Sequence, residues 1–211
     1  GSIDDKTPTA AEEIWDNITN ATESYLVGIG NTGALAYTTT LGGVTVSADY
    51  MKQGGGTLED GAVGVAGAGS SKSVALTTTI SDGLTVGAGI GTVGTADNGV
   101  DADQETIFVT YAIGSVTLGY HHSEEDTSNA NNWDSDQWGI SYNVSDNFSI
   151  AYGERTVDIA ETDADQEDTG LSASYTMGSM TIAGNVNTSD DQNGTTTSDV
   201  ETTEIAVSFA F

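Results

Sequence analysis

Carboxylates are the side chains in this sequence best able to do chemistry. The string Asp-Ala-Asp-Gln-Glu occurs twice, placing Asp101, Asp103 and Glu105 in one copy and Asp163, Asp165 and Glu167 in the other. Hard oxygen ligands at that density suit Ca²⁺. Neither copy has the Gly that an EF-hand loop requires at its sixth position, so solvated surface charge is the simpler reading, with loosely bound Ca²⁺ as the alternative. A further acidic group (Asp4, Asp5, Glu12, Glu13 and Asp16) lies near the start of the chain. His121 and His122 are adjacent, and neighbouring residues of a strand point to opposite faces, so they cannot chelate one metal together. Gly89-Ile-Gly91-Thr-Val-Gly94 matches a dinucleotide-binding pattern, but a polar stretch follows where that fold needs a helix. No Ser/His/Asp arrangement stands out and Cys is absent. The sequence therefore predicts no enzyme, no disulfide and no thiolate metal site.

The composition explains where these acids belong. Of 211 residues, 32 are Asp or Glu and 4 are Lys or Arg, giving a formal charge of −28, while 36% are hydrophobic. An ordinary globular domain has roughly 45–50% apolar residues. A strongly negative chain is a poor partner for nucleic acid, which binds basic patches. Low hydrophobicity with high net charge is also the signature of disorder, and only patterning can override it.

The patterning does so. From residue 34 onward apolar residues fall at every second position, as in Val44, Val46, Ala48 and Tyr50, or Ile107, Val109, Tyr111 and Ile113. This is the period of strands with two unlike faces. It repeats to Ile205, Val207, Phe209 and Phe211, predicting about eleven strands of roughly ten residues each. Tight-turn sequences (Gly42-Gly43, Asp82-Gly83, Gly114-Ser115, Asp146-Asn147, Gly178-Ser179) alternate with polar segments at 54–70, 95–103, 127–135, 161–168 and 190–200. An antiparallel up-and-down sheet trimmed at one end and elaborated at the other produces that alternation.

Parity alone leaves a β-sandwich open. Strand length and the scarcity of large apolar residues favour a transmembrane barrel, whose tilted strands need about 9–11 residues and whose apolar side chains face lipid. In a barrel the aromatics at strand ends would form interfacial girdles.

The closing segment Ile205-Ala-Val-Ser-Phe-Ala-Phe211, with its terminal Phe, resembles the last strand of bacterial outer-membrane proteins. Short turns, acidic loops, Gly/Thr-rich strands and the absence of Cys resemble the general porins, particularly those of alphaproteobacteria. The resemblance implies an antiparallel barrel of sixteen strands in the outer membrane, commonly a homotrimer among lipid and lipopolysaccharide. It implies passage of small hydrophilic solutes. The acidic segment from Ser2 to Asp16 resembles the constriction loop that folds into such barrels after their fifth strand. Residues 1–33 would then be that loop and its lead into the first strand, and 34–211 the remaining strands. Five strands would come from an upstream segment or a second chain.

On this reading Asp4, Asp5, Glu12, Glu13 and Asp16 line the narrowest part of the pore, opposite a basic wall for which Arg155 and Lys6 are the candidates, the alternative for Arg155 being an ion pair at the rim or at a trimer contact. Charge rings set pore selectivity, and so many carboxylates predict a preference for cations. Around Arg155 the apolar parity changes between Tyr152 and Val157, which predicts a bulge near Gly153. Lys52 and Lys72 share parity with the lipid-facing residues and would reach lipopolysaccharide phosphates. The competing function is a secreted or surface-layer acidic β-protein held together by Ca²⁺.

Overall fold

The computed structural model describes residues 34–51, 70–94, 101–127 and 132–210. They form eleven strands: β1 (Ala34–Leu41), β2 (Val44–Met51), β3 (Ser71–Ser81), β4 (Leu84–Gly94), β5 (Asp101–Ile113), β6 (Val116–Thr127), β7 (Trp133–Ser145), β8 (Phe148–Ile159), β9 (Gln166–Met177), β10 (Met180–Asp190) and β11 (Val200–Phe209). All belong to one antiparallel sheet in strict chain order, with β1 and β11 at its edges. The fold is all-β, and the five tight turns lie where the sequence places them. Gly42 and Gly43 both have positive φ, as a two-residue hairpin requires. Gly83 has a second reason to be glycine, because a Cβ there would sit 2.1 Å from the Ala112 carbonyl oxygen. Adjacent hairpins are stitched together at this end: Ala112, Asn143, Thr176 and Ala210 each donate a backbone N–H to the carbonyl of a residue in the preceding turn.

Exposure settles which face is apolar. Leu35, Leu41, Ile80, Ile90, Ile107, Val109's register partner Tyr120, Leu171 and Ile205 all point out of the sheet, and Ile205 is 75% exposed. Among the described residues the buried hydrophobic side chains are only Ala75, Ala102, Phe108 and Val157. The opposite face buries Ser, Thr, Gln, Asn and charged residues instead. A sandwich core has the reverse arrangement. Apolar-out and polar-in is the arrangement for strands crossing lipid.

The outward face also encodes depth. Counting up β6 from its tight turn, it reads Val116, Leu118, Tyr120, His122, Glu124 and Asp126; down β5 toward its turn it reads Asp101, Asp103, Glu105, Ile107, Val109, Tyr111 and Ile113. Apolar residues thus cover the half nearer the tight turns, and acids cover the half nearer the long connections. Tyr111, Tyr142 and Tyr175 lie toward the turns, whereas Tyr50, Tyr120 and Trp138 lie near the upper limit of the apolar band. These are the two girdles that interfaces favour. The Trp138 and Tyr152 rings are 5.7 Å apart, and Phe148 and Tyr175 meet edge-on at 6.4 Å.

Two sequence expectations need correction. The strands run on into segments read as loops, so that 101–103, 133–135 and 166–168 are paired backbone and β5 and β7 each have 13 residues. Acidic side chains end the apolar band without ending the hydrogen-bond ladder. Nor does a bulge interrupt β8 near Gly153: the register from Ile150 through Val157 is continuous on both sides. The parity changes because Tyr152 is the last outward apolar residue, and Val157 and Ile159 face inward above it. The irregularities flank tight turns, between Thr79 and Ser81 and between Asn143 and Ser145.

Substituting Leu118→Arg, in the outward apolar band, is expected to destabilise the protein in lipid vesicles by about 2–4 kcal/mol in urea titrations, whereas Thr117→Arg on the inner face costs little. Equal losses for the two would contradict the assignment of faces.

Candidate functional site

The inner face carries the candidate pore wall. One transverse row runs in direct register from Phe108 through His121, Gln137, Arg155 and Asp168 to Ser189. All six side chains are buried. Immediately below it, Gly119, Gly139, Gly153 and Gly170 are cross-strand partners on β6 to β9, and all four are also buried. Glycine in strand interiors marks tight bending or close approach by other groups. Four in one arc leave this strip of the inner wall free of side chains. On β4, Phe108 fills the space beside a glycine, where a Cβ on Gly87 would meet its ring at 2.1 Å.

Hydrogen bonds order this row. The Gln137 amide donates to His121 Nδ1 at 2.6 Å, which leaves the proton of a neutral ring on Nε2. His121 Nε2 then donates to Thr106 Oγ1 at 2.5 Å, and that hydroxyl donates to the His122 carbonyl at 3.3 Å. His122 faces outward toward Asp136, 3.0 Å away. The two histidines therefore occupy opposite faces, as strand geometry demands.

Arg155 reaches the inner face without any bulge. Its Nε and Nη2 donate to Asp168 Oδ2 at 2.8 and 2.5 Å, and both side chains have no solvent exposure. Gln166 donates to both Asp168 oxygens at 3.0 Å. A desolvated charge pair persists only with such supplementary bonds. Further along the wall, Gln104 donates to Glu125 at 2.5 Å, and Ser73 donates to Asp49 at 3.5 Å. Toward the tight turns the wall opens into a groove of about 550 Å³ lined by Thr117, Ser141, Asn143, Ser172, Asn185 and Glu204, among others.

The other sequence-predicted residues fare differently. Asp4, Asp5, Glu12, Glu13 and Asp16 lie outside the described residues. Asp101, Asp103 and Glu105 project outward from β5, while Asp163 and Asp165 lie in the turn before β9 and Glu167 on β9 itself. The two repeated strings are thus separated by β6, β7 and β8 and do not approach each other. Among the described residues no three His, Asp or Glu side chains converge as a metal shell would need. Lys72 points outward, as its parity indicates. Sequence reasoning missed Asp168, Gln166 and Gln137; their signal is an inward parity that becomes readable only because β7 begins before Trp138 and β9 before residue 169.

Comparison with known proteins identifies the family and the fold. The chain matches the Gram-negative porin family over residues 2–211. It belongs to that family. Its place is accordingly the bacterial outer membrane. No curated protein sequence matches the porin chain. Its fold is similar to a porin refined at 1.8 Å resolution (20% identity, TM-score 0.69), covering 97% of this chain and 72% of that one. It is also similar to an anion-selective porin from Comamonas acidovorans, at 15% identity and TM-score 0.60, over 74% of this chain and 48% of that one. Salmonella typhi OmpF, solved with daunomycin, matches at 14% identity and TM-score 0.62, over 83% and 61%. This porin chain thus spans about half to three-quarters of the length of these structures.

Breaking the buried pair with Arg155→Met leaves Asp168 uncompensated and is expected to destabilise the protein by about 3–5 kcal/mol in denaturant titrations in detergent. The double variant Arg155→Met/Asp168→Leu is expected to regain most of that loss. A single variant as stable as the parent would show that the pair does not form.

Proposed function

We propose that this chain forms the wall of a passive diffusion channel for small hydrophilic solutes, with a preference for cations and without chemical turnover. The observation that carries this reading is the reversal of ordinary burial: the outer face is apolar and exposed, whereas the inner face is an organised polar surface. Across the described strands that inner face presents four carboxylates, Asp49, Glu125, Asp168 and Glu204, against one guanidinium, Arg155. Asp168 already neutralises Arg155. The excess carboxylates attract cations and disfavour anions in a narrow aqueous passage.

The segment holding Asp4, Asp5, Glu12, Glu13 and Asp16 supplies a further acidic constriction in this reading, and three copies assemble as the resemblance to general porins implies. The similarity to a porin named as anion-selective concerns the fold, and selectivity follows instead from this chain's own charges.

Protein extracted natively from outer membranes is expected to open stepwise in planar bilayers, with a reversal potential favouring cations under a KCl gradient. Glu125→Gln together with Asp49→Asn is expected to move that potential toward zero. An unchanged potential, or a preference for anions in the parent, would defeat the electrostatic reading.

A further inference from the structure

The connection between β10 and β11, residues 191–199, does not stand away from the sheet. We infer that it is a strap folded over the inner wall, which sets the effective pore width and decides whether Arg155 and Asp168 face the aqueous passage; the inference rests on the channel reading above. Three observations converge. The 3-10 turn Gln192–Gly194 places Asn193 so that its N–H donates to Gln166 Oε1 at 2.9 Å, and Gln166 is the residue that holds Asp168 on the inner face. Gln192 and Gly194 are buried, and Gly194 packs so closely on Thr162, in the neighbouring β8–β9 connection, that a Cβ would lie 2.4 Å from the Thr162 Cβ. Thr162 cannot easily yield, because its single hydroxyl proton is shared between the carbonyls of Ile159 and Ala164, at 2.7 and 3.0 Å.

Backbone strain has the same address. Among the described residues the non-glycine positions with positive φ are Glu161, Asp191, Asn193 and Thr197, all within these two connections. Such conformations cost free energy and persist only when surrounding contacts over-determine them. The contacts here are the Gln166 clasp, the glycine contact and the strap's own bonds, including Thr197 N–H to Asp191 Oδ1 at 2.9 Å. On the wall beside the strap, Arg155, Asp168 and Ser189 have 2% exposure or less. Gln166 is thus a positioning residue whose one amide serves both the ion pair and the strap. Opening the strap would return a guanidinium and a carboxylate to the passage and widen it.

The absence of cysteine makes the test clean. Single-cysteine reporters are placed at Ser189, beneath the strap, and at Ser174, in the open groove. A small charged methanethiosulfonate then probes each in natively extracted protein, in the parent background and with Gly194→Ala or Gln166→Leu. Dislodging the strap is expected to make the Ser189→Cys thiol react about tenfold faster, as its open population rises, while the Ser174→Cys thiol is unaffected. Single-channel conductance is expected to rise in the same two variants. Equal reactivity of Ser189→Cys in all backgrounds, or unaltered conductance with a dislodged strap, would overturn the inference. If no openings occur even in the parent, the channel reading falls, and the thiol rates still decide whether the strap covers the wall.

Discussion

Lipid offers no hydrogen bonds, and that one constraint organises the rest of this structure. Every backbone N–H and C=O at membrane depth must find its partner within the protein. An antiparallel meander meets the demand by pairing each strand with its neighbours in sequence, and ten consecutive pairings do so here. Once the backbone is satisfied laterally, the side chains are free to serve two solvents. Period-2 alternation then sorts them, apolar toward hydrocarbon and polar toward the inner face of the sheet. The absence of a conventional core follows directly and explains how so acidic and apolar-poor a chain can fold.

The same sorting makes the inner face expensive to organise. Polar groups buried there need partners, and the cross-strand register supplies them in sequence from Thr106 through His121 to Gln137, and from Arg155 through Asp168 to Gln166. The glycine arc at 119, 139, 153 and 170 is the steric counterpart of that row. It leaves four adjacent strands without side chains directly beside the large residues of the row. Packing and electrostatics are therefore solved together across β6 to β9. The ladder carries both.

Depth is written on the outer face in a second code. Isoleucine, leucine and valine cover the half nearer the tight turns, and the aromatic residues mark its limits. Above the band, Glu105 faces Glu124 and Glu124 faces Asp134 across adjacent strands. Like charges directly opposite each other are unfavourable, and water and salt at that height screen them as hydrocarbon could not. Strands that outrun the membrane thus explain both the position of the acids and the length of β5 and β7.

Much of this was legible in the sequence, because a period of two residues, a glycine at a positive-φ turn and a run of polar residues are local signals. Strand number, the tight turns, the apolar face and the placement of His121 opposite His122 all follow from such signals. Strand ends did not, since the sequence marks where hydrocarbon stops and the backbone keeps pairing beyond it. Arg155 showed the same limit: its parity suggested a bulge, yet an unbroken register carries it to the inner face. Its partner Asp168 lies on the next strand, within a polar run whose composition signals a loop. Local alternation is enough to specify an up-and-down sheet with unlike faces, because its signals lie between residues two apart. Which acid meets the arginine and which glycines align emerge only in the folded sheet, because those depend on register between strands and on contacts between residues far apart in the chain.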